Sequence, residues 1–447
     1  MRFYPPKTTL AALRGFDMTA DSITILPTAA DYRRCLLEHI ASARRRIYIT
    51  ALYLQKDESG QEIIDALYQA KAARPTLDIV VMVDWFRAQR GLLGAGKQPG
   101  NAAWYRAERM SREVDVPVYG VPIQTRELFG VLHLKGNVID DCVIYSGASI
   151  SNVYLHKFDK YRLDRYHVLY NKPLADSVQE LIQNALLGSK ATHRLDLPSP
   201  PMSRTLRGAI RAFRSHLKRA SYDTSAGTNE PGGLRVIPLL GVGRNNPLSR
   251  TLCQLVAASQ KQLTLCTPYF NLAPVLTREI DRALKRGVTI DIIIGDKTSN
   301  DFFIPPEKPF KLSAVLPYFY EIKLRGFARK HQDAIARHQL NLQLWKEGDH
   351  SFHLKGVWVD QRYTLLTGNN LNPRGFRLDL ENALLIDDPQ AEWAVQRDEE
   401  LAQLSRHTRR VDNYSALDSP SDYPPQVRTL LRRVRCARIG RLLYGML

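Results

Sequence analysis

One eight-residue pattern occurs twice in this chain, as HLKGNVID at 133–140 and HLKGVWVD at 353–360. Both copies read His-x-Lys-x-x-x-x-Asp, so His133, Lys135 and Asp140 have counterparts in His353, Lys355 and Asp360. At average residue frequencies a chain of this length should hold such a pattern on the order of 0.03 times by chance, so two copies mark a duplication. The duplication extends beyond the motif. IASARRRIYITALY at 40–53 corresponds to VAASQKQLTLCTPY at 256–269, an offset of 216 residues, and each stretch reads as a helix end running into a buried strand. An amphipathic helix and a second strand follow in both halves, and the motif offset of 220 leaves little room for insertion between them.

Each motif copy lies in an alternating run that reads as a strand entering a hairpin. On such a strand the His and the Lys share a face with backbones about 7 Å apart, a spacing that lets both meet one anionic group. The Asp would lie roughly 23 Å from its His on a straight strand, so Asp140 and Asp360 are expected to fix the turn or sheet end rather than touch substrate. Behind each hairpin comes a polar turn, Gly147 to Asn152 and Gly368 to Asn372, able to direct amide and hydroxyl donors toward the His-Lys face. Then RLDRYH at 162–167 matches RLDLEN at 377–382, where a carboxylate can orient a histidine through its far ring nitrogen. Within each half, this assigns Asp164 to His133 and Glu381 to His353.

Paired motifs of this kind, each with a downstream Gly-x-x-x-Asn-like turn, resemble the phospholipase D superfamily. Within it the chain is similar to the soluble bacterial phosphatidylserine synthases, through ALYLQKD, DWFRAQRG, YGVPIQTRE, YSGASISNVYLHKFDKYR, CTPYFNL, DKTSNDF and TGNNLNPR. The resemblance runs from about residue 30 to 390, with a similar basic tail beyond. It implies an α/β fold of two duplicated phospholipase D-like domains, each a central mixed sheet flanked by helices, with the active site at their interface. The expected division is an N-terminal extension over 1–29, a first domain over 30–190, a basic connector over 191–230, a second domain over 231–400 with an insert at about 301–345, and a basic helical tail over 401–447.

The resemblance further implies transfer of a phosphatidyl group from CDP-diacylglycerol to L-serine, with release of CMP and no metal or other cofactor. His133 is the expected nucleophile and His353 the acid and then base. Lys135, Lys355, Asn152 and Asn372 would counter the phosphate charge, with Ser149 and Asn370 in the same polar turns. A phospholipase D or cardiolipin synthase would share every motif residue, and a metal-independent nuclease would share the chemistry. Arg87, Arg90 and Lys97 are candidates for the nucleotide phosphates. Gly91 to Lys97 nearly spells a P-loop, but Gln98 stands where that loop needs Ser or Thr, so a basic loop is the expectation. Tyr269 and Asn271, like Asp296 to Asn300, end strands of the second repeat and are placed toward the site.

A formal net charge of +18 calls for an anionic partner, nucleic acid or an acidic lipid surface. Aromatics among lysines and arginines at 301–330 favour lipid, as does the tail, with six arginines and no acidic residue from 426 onward. Val427, Leu430, Leu431 and Val434 form an apolar stripe there, read as a lipid-facing helix side, with docking to the protein body as the rival. No run of 18 apolar residues and no secretory signal occurs, and five scattered cysteines suit a reducing compartment. The expected location is the cytoplasm, peripheral on the inner face of the cytoplasmic membrane.

Overall fold

The structure is a computed structural model, and it describes residues 9–90, 99–230, 232–305 and 307–436. The near-P-loop stretch and Lys97 lie outside the described residues, as does the end of the tail. Helix Glu58–Ala73 shows how the local chemistry works. Asp57 caps it by accepting from the Gly60 N–H, and Ile63, Ile64 and Leu67 form one buried stripe. Strand Arg46–Thr50 is buried at every position because helices cover both faces of its sheet.

Two mixed sheets repeat one order. In the first, Val118–Val121, Asp78–Asp84 and Arg46–Thr50 run parallel, followed by the antiparallel Asn137–Ile139, Cys142–Ser146 and Tyr166–Tyr170. In the second, Leu340–Trp345, Thr289–Gly295 and Gln262–Thr267 run parallel, followed by Gly356–Val359, Tyr363–Thr367 and Glu381–Asp387. The strand Leu340–Trp345 therefore belongs to the repeat, and the insert ends before it rather than at 345. The N-terminal stretch is not a separate extension either. Ile23–Ile25 pairs with Tyr166–Tyr170, as Arg235–Gly241 pairs with Glu381–Asp387, and Phe16–Asp17 adds an edge to the second sheet.

The halves share a core. The larger apolar cluster is built mostly from the first half yet includes Leu366, Leu380, Leu384, Ile386 and Trp393. The connector carries helix Arg207–Leu217, which buries Ile210, Phe213 and Leu217, and its Arg214 donates to the Leu378 carbonyl at 3.0 Å.

Two short parallel contacts between the halves position the site. Leu132 bridges Leu380, and Ser351–Phe352 pairs with Arg162–Leu163. Each His-Lys segment thus runs alongside the other half's chain, and regular strand begins only after it, at Asn137 and Gly356. The predicted strand starts later in the first half because Gly136 bends the backbone with φ of +103°.

Candidate active site

The parallel contacts decide which carboxylate meets which histidine. Leu132 opposite Leu380 sets His133 beside Glu381, and its Nδ1 lies 2.8 Å from Glu381 Oε2. Phe352 opposite Leu163 sets His353 beside Asp164, and its Nδ1 lies 3.0 Å from Asp164 Oδ2. The pairing expected within each half is therefore reversed: each histidine takes its carboxylate from the other half. Asp164 and Glu381 are counterparts by register, one residue past each bridge, although the RLD match aligns Asp164 with Asp379.

Both centres are largely shielded from bulk water. His133, Lys135, His353 and Lys355 are all buried, and Lys355 is 0% exposed. Lys355 Nζ lies 3.3 Å from Asp164 Oδ2 and also contacts His353 Nδ1. Lys135 Nζ reaches the Ala148 carbonyl at 3.4 Å, and the Asn382 side chain braces the Lys135 backbone, accepting at 2.8 Å and donating at 2.8 Å.

Burial and neighbouring charge set the protonation states. Burial, then Lys135, hold His133 well below the usual imidazole range, and burial, then Lys355, push His353 down to about 3. Both rings are thereby held neutral. Burial and then the Lys355 charge push Lys135 down to about 7. The two carboxylates differ. Burial raises Glu381 to about 8 against the pull of Lys135, whereas Lys355 and His353 overcome burial at Asp164 and lower it to about 2.

The motif aspartates act at a distance. Asp140 accepts from the N–H groups of Arg44, Arg45 and Arg46 at 2.9, 2.8 and 3.2 Å, and Asp360 accepts from Gln260, Lys261 and Gln262 at 2.6, 2.7 and 2.8 Å. Each ties its hairpin to the start of the repeat's first strand.

The polar turns depart from expectation. Asn152 accepts from the Ser59 N–H at 2.9 Å and donates to Glu58 at 2.5 Å, so its amide serves a helix start rather than a phosphate. Asn372 accepts from the Gly375 N–H at 2.8 Å. Ser146 and Thr367 accept from the second residue on in each turn, which aligns Gly147 with Gly368 and makes Ser151, not Asn152, the counterpart of Asn372. Ser149 is buried beside Ser151, and buried atoms without a protein partner include Ser151 Oγ, Asn271 Nδ2 and Asn370 Oδ1.

Of the proposed nucleotide contacts, Arg90 is held by Glu127, while the Arg87 guanidinium lies 4.8 Å over the Tyr53 ring, itself against Tyr154. Tyr269 faces His353 with ring centroids 6.2 Å apart and donates to Asp301. Sequence reasoning missed Tyr154, whose hydroxyl lies 3.2 and 3.3 Å from the two His353 ring nitrogens, the Arg162–Asp301 pair at 3.5 Å, and the Arg374–Asp379 pair at 2.9 Å, whose charges act on His133. The repeated Arg-Leu-Asp triplets held Arg162 and Asp379 in view, and DKTSNDF contains Asp301.

Known proteins resemble this chain in sequence and fold. The family described as cardiolipin synthase, PLD-like domain matches residues 252–404. The chain is 48% identical to the CDP-diacylglycerol–serine O-phosphatidyltransferase of Escherichia coli, over 98% of this chain and 97% of that protein. A crystal structure of phosphatidylserine synthase from Haemophilus influenzae superposes with a TM-score of 0.95 at 44% identity, covering 98% of both chains. At 24% identity stands a CDP-diacylglycerol–glycerol-3-phosphate 3-phosphatidyltransferase of Saccharomyces cerevisiae, matched over 89% of this chain and 84% of that protein.

Proposed function

The chain belongs to the CDP-diacylglycerol–serine O-phosphatidyltransferases of the phospholipase D superfamily, and from that premise we propose that it works through a phosphatidyl-histidine intermediate. The observation that carries this reading is the crossed pair of buried His-carboxylate contacts. A carboxylate at Nδ1 of each ring leaves Nε2 of His133 for attack as nucleophile, while Nε2 of His353, 3.3 Å from the Tyr154 hydroxyl, serves as proton carrier.

His133 attacks the phosphorus that bears diacylglycerol, and CMP leaves with a proton from His353. For that step His353 must be protonated. The entering phosphate anion supplies a charge that favours this, with ionised Asp164 beside the ring. The serine hydroxyl then gives its proton to neutral His353 and displaces His133 from phosphorus, forming phosphatidylserine. Lys135 and Lys355 counter the charge on the non-bridging oxygens throughout. Burial of the centre keeps water from competing with serine for the intermediate.

The substrate lipid places this work at a membrane surface. Among the described residues no helix is long and apolar enough to cross a membrane. Contact instead comes from the basic surface and the insert, on the inner face of the cytoplasmic membrane. The test is incubation of purified protein with labelled CDP-diacylglycerol in anionic micelles, with and without L-serine. Serine-dependent CMP release with retention at phosphorus, and a labelled histidine trapped in wild type but not in His133→Ala, is expected. Inversion at phosphorus would exclude the covalent route.

A further inference from the structure

A cavity of about 800 Å³ has Arg162, Asn300, Asp301 and Ser351 in its wall, and the two tyrosines that flank His353, Tyr154 and Tyr269, touch that wall at Arg162 and Asp301. Lysines 160, 308, 311 and 346 are also in the wall, with Asp349 set against Lys160 at 3.6 Å, a setting that on balance suits an anion. Asp301 does not suit an anion. A carboxylate in such a wall either pairs off as structure or waits for a cation.

The Arg162–Asp301 contact is looser than a structural ion pair. It is a single contact of 3.5 Å, and each side chain keeps 16% of its surface exposed. The structural pair nearby, Arg165–Glu400, makes two bonds of 2.7 Å and is 4% and 6% exposed. Arg162 is anchored from the side: its Nε donates to Ser351 Oγ at 3.2 Å and its guanidinium lies 4.8 Å over the Tyr154 ring. Asp301 is anchored by the Tyr269 hydroxyl. Burial opposes ionisation of Asp301, but Arg162 and the His353 side hold its carboxyl below the usual range.

Tyr154 and Tyr269 therefore do two things at once. Each flanks the His353 ring, with centroids 5.4 and 6.2 Å away, and each fixes one member of the ion pair. A cation and an anion are thus held about one aromatic ring from the base.

We infer that Arg162 and Asp301 form the acceptor site and recognise a zwitterion, the guanidinium taking the carboxylate of L-serine and Asp301 its ammonium, so that the hydroxyl faces His353. This rests on the serine-transfer reading above. Fork-like donors of Arg match a carboxylate, and an ionised carboxylate matches an ammonium. The yeast relative is named for glycerol 3-phosphate, an acceptor without an ammonium, for which a carboxylate in this place would be repulsive.

The test uses the full chain with CDP-diacylglycerol in micelles and three acceptors: L-serine, 3-hydroxypropanoate, which lacks the ammonium, and ethanolamine, which lacks the carboxylate. In Asp301→Asn the KM for L-serine should rise at least tenfold while the KM for CDP-diacylglycerol moves less than threefold. The preference for L-serine over 3-hydroxypropanoate should fall at least tenfold, and Asp301→Glu should restore part of it. Arg162→Gln should lower the preference over ethanolamine instead. An unchanged L-serine KM with both preferences intact, or a parallel rise of both substrates' KM in every variant, would overturn the inference. CMP release by wild type that ignores serine would overturn the transferase reading itself, and this site with it.

Discussion

Glu381 and Asp164 occupy matching places beside the two histidines but are held in opposite charge states. A neutral Glu381 donates to His133 Nδ1 and leaves the ring's own proton on Nε2, where it blocks attack. An ionised Glu381 accepts from Nδ1–H and frees Nε2. With Glu381 raised to about 8, kcat/KM should climb through that pH, and Glu381→Gln should remove the limb and lower kcat at least a hundredfold. The same shift acts on stability. The folded carboxyl holds its proton above the unfolded value of 4.5, so its contribution is complete below that pH and is lost as pH rises through about 8. Glu381→Gln should therefore unfold at a higher temperature than wild type at pH 9, with a gap on the order of a few kcal/mol that shrinks toward pH 5. A flat pH–rate profile in wild type from 6 to 10 would contradict the assignment.

The turns that follow each hairpin show how element geometry supports those side chains. A Cβ at Gly147 would lie 2.5 and 2.7 Å from the Asp164 carboxylate oxygens, and one at Gly368 would lie 2.8 Å from Lys135 Cγ. Gly147→Ala should push Asp164 away from His353 and cut kcat by tenfold or more, with little change in thermal unfolding, which circular dichroism would check. The His-Lys motif and the alternation around it were legible in the sequence, because both are local patterns. The partner of each histidine was not. That depends on Leu132 meeting Leu380 and Phe352 meeting Leu163, pairings between segments 248 and 189 residues apart. The RLD triplets aligned well by letter but two residues off in space. Asn152 looked like the end of a motif, yet its amide fits the start of helix Glu58–Ala73, a contact across 93 residues. Strand Ile23–Ile25 has three residues, too few for alternation to reveal.

At the scale of the molecule, the insert and the tail, both expected to favour lipid, pack against each other. Val427 is buried with Tyr318 and Tyr423, and Leu431 packs against the same patch, so these two residues of the tail's apolar stripe dock on the insert instead of facing lipid. The insert in turn reaches the site, since Tyr320 of helix Leu316–Lys330 stacks on Tyr269 with centroids 5.2 Å apart. Apolar surface available to a bilayer lies at the other end of the insert. Phe310 is 39% exposed and Leu312 is 70% exposed, with Lys308 and Lys311 beside them. A side chain of this size transferred from water gains about 1.5–3 kcal/mol, and each basic residue near an anionic surface adds about 1 kcal/mol that salt screens. Phe310→Asp with Leu312→Asp should weaken binding to phosphatidylglycerol vesicles at least tenfold at both low and high salt. Arg428→Glu with Arg432→Glu, both on the exposed side of the tail helix, should weaken it only at low salt. Vesicle flotation of the two variants separates the contributions. Salt-independent loss in the arginine variant, with the insert variant unaffected, would return the apolar contact to the tail and require Val427 to leave Tyr318 at the membrane.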